Sequence, residues 1–515
     1  MTQQHPHVGA QRAAPLHHNR PMRWLIPLLW IAFGLRVQGL HNYTRLHPDE
    51  AFFAAFARNA VVRGEWLFPG NLDKTPLALY GQSLTMALAG MRYDGALWQV
   101  SLIQGEFAVR LFSLFMGIIS VAAVYALGRR VWRSSAAGLL AAALWGMSPY
   151  GVIFSPTAFT DMPMIAFALL ALVTALDRRP VWAGVAWALA YGCKQQAVLF
   201  LPLVLLWIII PRRGVPWDAP TQTFTRLIRF FLPIVCGLAL LALWDSVRPE
   251  DAVSTLATAN NAPSGWIIAP DDVWPRLLGW ADLSQWAFGN AWITALWLGA
   301  ALWGILRRGI HWRQAINPSP TAVLVWLIGY GVLHWLVPLN MYDRYVLAAL
   351  PLVAVWVGGI IENRNHRRGD PWVTPTMAVM LLALTVFNGY GQPIGGDQGQ
   401  HDGIIPLADF LNTREFGAIV YDRWLGWELN YYLGAWTDKR RAYYPTPAAM
   451  AQDAALQVPD VAPRYFPVPY SADFSAWQAA LINAGFAVCR VYDDGNRFAV
   501  FALTNTDTVV QPLCL

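Results

Sequence analysis

The stretch EFAVRLFSLFMGIISVAAVYALGRRVWR, residues 106–133, decides the fold class. Between Leu111 and Gly128 it has no charged side chain, and then Arg129, Arg130 and Arg133 arrive together. A helix that crosses a bilayer needs about 20 mostly apolar residues. Basic residues just beyond such a run mark its cytoplasmic end. The same pattern recurs outward along the chain. Apolar runs near 22–40, 106–128, 136–154, 161–177, 180–193, 195–211, 228–245, 290–306, 321–339, 344–361 and 372–391 predict about eleven transmembrane helices, the fifth and sixth being short. Arg20 and Arg23 precede the first run. Arg178 and Arg179 follow the fourth, Arg212 and Arg213 the sixth, Arg307, Arg308 and Arg313 the eighth, and Arg364, Arg367 and Arg368 the tenth. All these clusters share one side when the N-terminus is cytoplasmic, which places the C-terminus on the extracytoplasmic side. The expected fold is an all-α, multi-pass protein of the cell membrane.

Composition agrees. Of 515 residues, 56% are hydrophobic and 13% charged, against about 25% charged in an average soluble domain. The 27 tryptophans suit a protein with two membrane–water interfaces. The net charge of +6 sits in short clusters between apolar runs and forms no basic face, which argues against nucleic acid. The four cysteines have no metal-ligand spacing, and the sequence leaves open whether Cys489 and Cys514 pair in an extracytoplasmic tail.

Residues 77–90 (LALYGQSLTMALAG) are apolar but too short to span. Were they to cross, every later arginine cluster would change sides. They are therefore expected to lie on the outer side as an interfacial or re-entrant helix, inside an outer loop over 41–105. The organisation expected is a disordered cytoplasmic leader (1–21), a transmembrane domain (22–391) and an extracytoplasmic tail (392–515). In the tail, GAIVYD (417–422) and RFAVFALT (497–504) read as strands and WQAALINAGF (477–486) as an amphipathic helix, so a small α/β domain is expected.

The chemistry-bearing residues collect at the outer ends of the spans. After the first span comes PDEAFFAAFARNAVVRGEW: Pro48 starts a helix, Asp49 and Glu50 fall in its first turn, and Phe52, Phe53, Phe56 and Ala60 form one apolar stripe. That stripe predicts a helix lying along the membrane surface. Acids in a first turn also simply suit the helix dipole. Lys74 (LDKTPLALY) stands at the mouth of the short apolar helix, where a lysine can snorkel or meet a lipid phosphate. Asp161 (SPTAFTDMPMIAF) opens the fourth span. Arg110 lies one turn inside the second span, Lys194 (GCKQQAVLFLP) between the fifth and sixth, and Arg344 (YDRYVLAALPLVAV) between the ninth and tenth. Ionisable groups near membrane depth are functional candidates. Acids and cations gathered on one membrane face suit group transfer from an anionic lipid-linked donor. Asp49, Glu50 and Asp161 are also oxygen ligands of the kind Mg²⁺ or Mn²⁺ accepts, although no histidine or fixed spacing singles out a metal site.

In this order, the segments resemble those of the GT-C type integral-membrane glycosyltransferases. They look most like the branch of protein O-mannosyltransferases and lipid A aminoarabinose transferases. The LDKTPLALY segment departs from that family's Lys-Pro-Pro-Leu element by carrying Thr75 at the first proline. The resemblance implies a polyprenyl-phosphate-sugar donor and a protein, glycolipid or polymer acceptor. It implies a single inverting displacement on the extracytoplasmic face. Carried over by position, Asp49 is the general base, Glu50 supports it, and Asp161 positions the acceptor or the base, or binds a metal together with Asp49. Lys74 and Arg344 hold the donor phosphate, with Arg110 and Lys194 as further candidates. Two other readings remain: a transporter, whose charges would sit at the bilayer midplane, and a non-catalytic scaffold of the same fold.

Overall fold

The structure is a computed structural model that describes residues 23–42, 45–93, 95–210, 220–248, 252–306, 318–365, 379–380, 383–386, 394–456, 463–505 and 514. The leader 1–21 and most of the run 372–391 lie outside the described residues. Helices α1 (Leu25–Asn42), α2 (Pro48–Arg63) and α3 (Leu77–Ala89) come first, followed by a hairpin, β1 (Met91–Tyr93) with β2 (Trp98–Val100). Next are α4 (Leu102–Trp132), α5 (Ser135–Gly146), α6 (Pro149–Ile153), α7 (Asp161–Leu176), α8 (Pro180–Cys193), a 3₁₀ turn at Gln195–Phe200 and α9 (Leu201–Ile209). Six more helices follow: α10 (Pro220–Ser246), α11 (Val253–Asn261), α12 (Val273–Ser284), α13 (Ala291–Leu306), α14 (Pro318–Leu336) and α15 (Asp343–Asn365).

Among the described residues, four helical stretches are long and apolar enough to cross a membrane: Leu102–Trp132, Thr221–Ser246, Ser319–Leu336 and Asp343–Glu362. Further apolar helices, among them α1, α5, α7 and α13, are shorter. The run 136–154 is not one helix. It breaks at Ser148–Pro149, where the Ser148 hydroxyl caps Gly151 N–H and Pro149 starts a new turn. The run 195–211 likewise opens as 3₁₀ before α9. Small residues let the helices close up. A Cβ on Gly128 of α4 would lie 3.0 Å from the Cα of Gly138 in α5.

The short helix α3 has 13 residues, about 20 Å at 1.5 Å per residue, well short of a bilayer core. Leu77 at its start packs against Gly192 at the end of α8, and Gly90 just past its end faces Ala108 near the start of α4. Both its ends therefore meet the ends of longer helices. Cysteines placed at Asn71 and Ala96, exposed positions on either side of α3, are expected to react with the same impermeant reagent from the same side. Reaction from opposite sides would make α3 a span.

The tail forms a five-stranded sheet in the order β4 (Arg440–Ala442), β3 (Ile419–Tyr421), β5 (Arg464–Pro469), β7 (Phe498–Asn505), β6 (Phe486–Asp493). The first three strands run parallel, and β7 pairs antiparallel with β5 and β6. The central β5 is buried along its whole length. Helices α16 (Ile404–Asn412), α17 (Gly426–Tyr432), α18 (Pro447–Leu456) and α19 (Ser475–Asn483) accompany it. Cys489 and Cys514 form a disulfide.

Helix α2 joins the two parts. Its Phe53, Phe56 and Ala60 pack into the core of the helical part, each phenylalanine contributing about 1.5–3 kcal/mol by burial. Its Ala51, Ala54, Ala55 and Ala57 pack into a second core with tail residues Leu407, Leu429, Tyr431 and Tyr432. The alanines let α17 come close enough for Arg58 to donate to the carbonyls of Asn430 and Tyr431. The sequence led us to expect this helix on the membrane surface. The structure corrects that: protein covers both faces, because the stripe opposite the phenylalanines is alanine and not polar.

Candidate active site

The geometry starts from the N-terminus of α2. His47 is the N-cap, and its Nδ1 accepts from Asp49 N–H at 3.1 Å. Glu50 returns the favour, with Oε2 accepting from His47 N–H at 3.0 Å, which completes a capping box. Glu50 Oε1 accepts from Arg110 Nε at 3.1 Å and from Ala158 N–H at 2.8 Å. Glu50 and Arg110 are 1% and 2% exposed, and Arg110 also donates to the Arg45 carbonyl. These two residues form a buried tie between α2, α4 and the loop before α7.

Asp49 points the other way. Its Oδ2 lies 2.8 Å from Arg344 Nη1, and both side chains keep some exposure. The Arg344 guanidinium lies over Phe159 and Tyr342, with its centre 4.8 and 5.2 Å from their rings. Asp161 and Asp343 also act on it electrostatically. Asp161, buried at the start of α7, accepts from Lys194 Nζ at 2.6 Å through Oδ1. Its Oδ2 has no hydrogen-bond partner among the described residues. Lys194 can reach it because the backbone turns extended there, ending α8.

Lys74 pairs with Asp73, and this segment is pinned to the same turn. Thr75 Oγ1 donates to the Tyr191 carbonyl at 2.7 Å and Gln195 Nε2 donates to the Asp73 carbonyl at 3.2 Å. The threonine at this proline position thus supplies a bond that a proline cannot. Lys74 acts electrostatically on Lys194, as does Arg344. The structure brings Asp49, Arg344, Asp161, Lys194 and Lys74 into one neighbourhood of alternating charge, with Glu50 and Arg110 paired behind it.

Three contributors escaped sequence reasoning. Asp343 accepts from Arg344 N–H through Oδ1 and from Gly395 N–H through Oδ2, at 2.8 and 2.7 Å. Gly395, at φ +63°, lies so near His47 that a Cβ would stand 2.8 Å from Nε2. His47 itself was legible only as the residue before Pro48 with Glu50 three places on. Among the described residues no three His, Cys, Asp or Glu side chains converge to hold a metal. Asp49 and Asp161, the two acids considered for Mg²⁺ or Mn²⁺, each face a cationic side chain instead.

The cap makes a pH prediction. Burial pushes the His47 imidazole below its ordinary 6.5, against the pull of Asp49 and Glu50. The neutral ring is the form that accepts from Asp49 N–H, so the cap's stability is fully present above pH 6.5 and is lost as pH falls from there through the lower folded-state value. Hydrogen exchange of the first-turn amides of α2 is expected to quicken as pH falls below 6.5. His47→Asn, a cap that does not titrate, is expected to remove that acid response; an unchanged response would assign it elsewhere.

Residues 73–239 match the family described as dolichyl-phosphate-mannose-protein mannosyltransferase. An undecaprenyl phosphate-alpha-4-amino-4-deoxy-L-arabinose arabinosyl transferase of Pseudomonas fluorescens is 25% identical over 378 residues, covering 66% of this chain and 57% of that protein. The chain thus spans less than two thirds of the length of the curated relatives it matches first. The crystal structure of ArnT from Cupriavidus metallidurans in the apo state superposes with a TM-score of 0.62 at 12% identity, covering 94% of this chain and 98% of that one. The same protein bound to undecaprenyl phosphate gives 0.60 at 13% identity, covering 95% and 99%. The chain accordingly has the GT-C fold of these structures and resembles the branch that holds the protein mannosyltransferases and the aminoarabinose transferases.

Proposed function

We propose that this protein is a membrane glycosyltransferase that moves a sugar from a polyprenyl-phosphate donor to an acceptor hydroxyl on the extracytoplasmic face, with inversion. The observation that carries this reading is the Asp49–Arg344 pair at 2.8 Å, beside Lys194–Asp161 and within a neighbourhood that includes Lys74. Transfer from a lipid phosphate needs a carboxylate to take the acceptor proton and fixed cations to hold the leaving phosphate. Arg344 and Lys74 suit the phosphate. A phosphate that engages Arg344 draws it from Asp49 and frees that carboxylate for the acceptor hydroxyl. The hydroxyl oxygen attacks the anomeric carbon, the bond to the phosphate oxygen breaks, and the proton passes to Asp49. One displacement inverts the centre. Asp161, fixed by Lys194 with one oxygen unpartnered among the described residues, suits orienting the acceptor. The exposed Leu84 and Leu88 of α3 and the neighbouring apolar helices suit the prenyl chain. The one-sided arginine clusters support the orientation, and so does the Cys489–Cys514 disulfide, since such bonds persist in oxidising compartments.

Mass spectrometry of lipids copurified with the protein is expected to reveal a polyprenyl-phosphate sugar, and that sugar is expected to leave the lipid on addition of acceptor. Release of intact lipid-linked sugar on the opposite membrane face, without cleavage, would instead make the chain a transporter. Lys74→Ala and Arg344→Ala are each expected to weaken donor binding about 10–100-fold, the loss of a charge-assisted bond to phosphate. Unchanged donor affinity in both would remove these side chains from the phosphate site.

A further inference from the structure

Residues 394–397 lead into the tail past the start of α2, and they touch both halves of the charged neighbourhood. Asp397 N–H donates to the Ile394 carbonyl at 3.0 Å, which makes the segment a turn. On one side, Gly395 N–H donates to Asp343 Oδ2, and the other Asp343 oxygen takes the Arg344 N–H. On the other side, Asp397 pairs at 2.6 Å with Arg45, two residues before His47. Between these anchors Gly395 lies against the His47 ring. A Cβ on it would stand 2.8, 3.2 and 3.4 Å from Nε2, Cε1 and Cδ2.

These contacts close a circuit. It runs from the Asp49 carboxylate to the Arg344 side chain, then through Asp343 and Gly395 to His47, whose Nδ1 accepts from Asp49 N–H. The link between Asp49 and Arg344 is the one that opens when a phosphate draws Arg344 away. The other links lie behind it and join backbone to backbone. A His47 ring pushed off Gly395 gives up its bond to Asp49 N–H and disturbs its edge contact with Phe159, whose ring centre is 5.3 Å away.

We infer that Gly395 is a positioning residue: its bare Cα seats His47 and so sets the spacing between the base Asp49 and the donor-holding Arg344. This role rests on the glycosyl-transfer reading. Gly395 also has φ +63°, which favours glycine for a second reason. Backbone strain and bulk against His47 are separable, because only the bulk acts through the ring. Gly396 supplies the contrast: its φ is +77°, and a Cβ there would meet nothing within 4 Å.

The test is transfer by purified full-length variants, with donor affinity measured alongside. Gly395→Ala is expected to cut kcat about 10–100-fold, the effect of misplacing a reacting group by up to about 1 Å. Its donor affinity is expected to stay within about twofold, since the phosphate-holding side chains are kept. Gly396→Ala, with the same strain and no bulk, is expected to keep its kcat. His47→Ser removes the ring and keeps a capping hydroxyl. The double variant Gly395→Ala with His47→Ser is expected to turn over about tenfold faster than Gly395→Ala alone, the coupling of two residues in contact. Unchanged kcat in Gly395→Ala would overturn the inference, as would an equal loss in Gly396→Ala or no recovery in the double variant. Absence of transfer by the unaltered protein would instead sink the reaction reading. The seating of His47 is then read from hydrogen exchange of the Asp49 amide, expected to quicken in Gly395→Ala and not in Gly396→Ala. Equal exchange in those two variants would overturn the seating as well.

Discussion

Asp49→Asn is expected to cut turnover by about 10²–10⁴-fold, the usual worth of a positioned general base. The substitution keeps shape and removes the charge. The α2 cap does not depend on this side chain: it is made by the His47 ring and by Glu50. Asp49 is partly exposed where it meets Arg344, so loss of the pair leaves no deeply buried orphan, and the fold is expected to hold. Donor affinity is not expected to fall, since Arg344 is released to the phosphate. The assay is transfer by purified variants with the native donor, alongside Asp161→Asn. Near-normal turnover in Asp49→Asn, with loss in Asp161→Asn, would move the base to the start of α7.

Arg110→Ala is expected to act on stability, by about 3–5 kcal/mol, the range for removing one partner of a buried ion pair. It strands the Glu50 carboxylate, which is 1% exposed, and removes the bond to the Arg45 carbonyl. Thermal unfolding in detergent is the measurement. The double variant Glu50→Leu with Arg110→Leu is expected to recover only part of the loss, because it removes the stranded charge but leaves His47 N–H and Ala158 N–H without the Glu50 acceptor. If Arg110→Ala melts like the unaltered protein, the tie between α2 and α4 carries no weight.

The contrast between Asp49 and Glu50 shows where sequence reading stops. The family resemblance made these adjacent first-turn acids a base and its helper. In space they part, and Glu50 turns back to serve His47, Arg110 and Ala158. The spacing from His47 to Glu50 is that of a capping box, but the signature is usually recognised from Ser or Thr at the cap, so histidine hid it. Apolar run length and arginine position were legible because they are local properties. The break at Ser148–Pro149 was also local, but a hydropathy window reads through it. Which acid meets which cation was not legible. Arg344 and Asp49 come together only through the packing of α15 against the outer loop, and the same packing puts cationic side chains where two acids had suggested a metal.

The sandwiching of α2 has a consequence in time. Arg58 leaves the ribosome well before the carbonyl it clasps, because Tyr431 lies 373 residues downstream. At ~5–20 residues per second that interval lasts roughly 20–75 s. Throughout it, the helix that carries Asp49 has only its phenylalanine side covered and its alanine side open to water or to a chaperone. A nascent chain interrupted before α17 already owns every acid and cation of the charged neighbourhood, yet holds Asp49 on a half-docked helix. Completion of the tail is thus the last event that fixes the helix carrying Asp49.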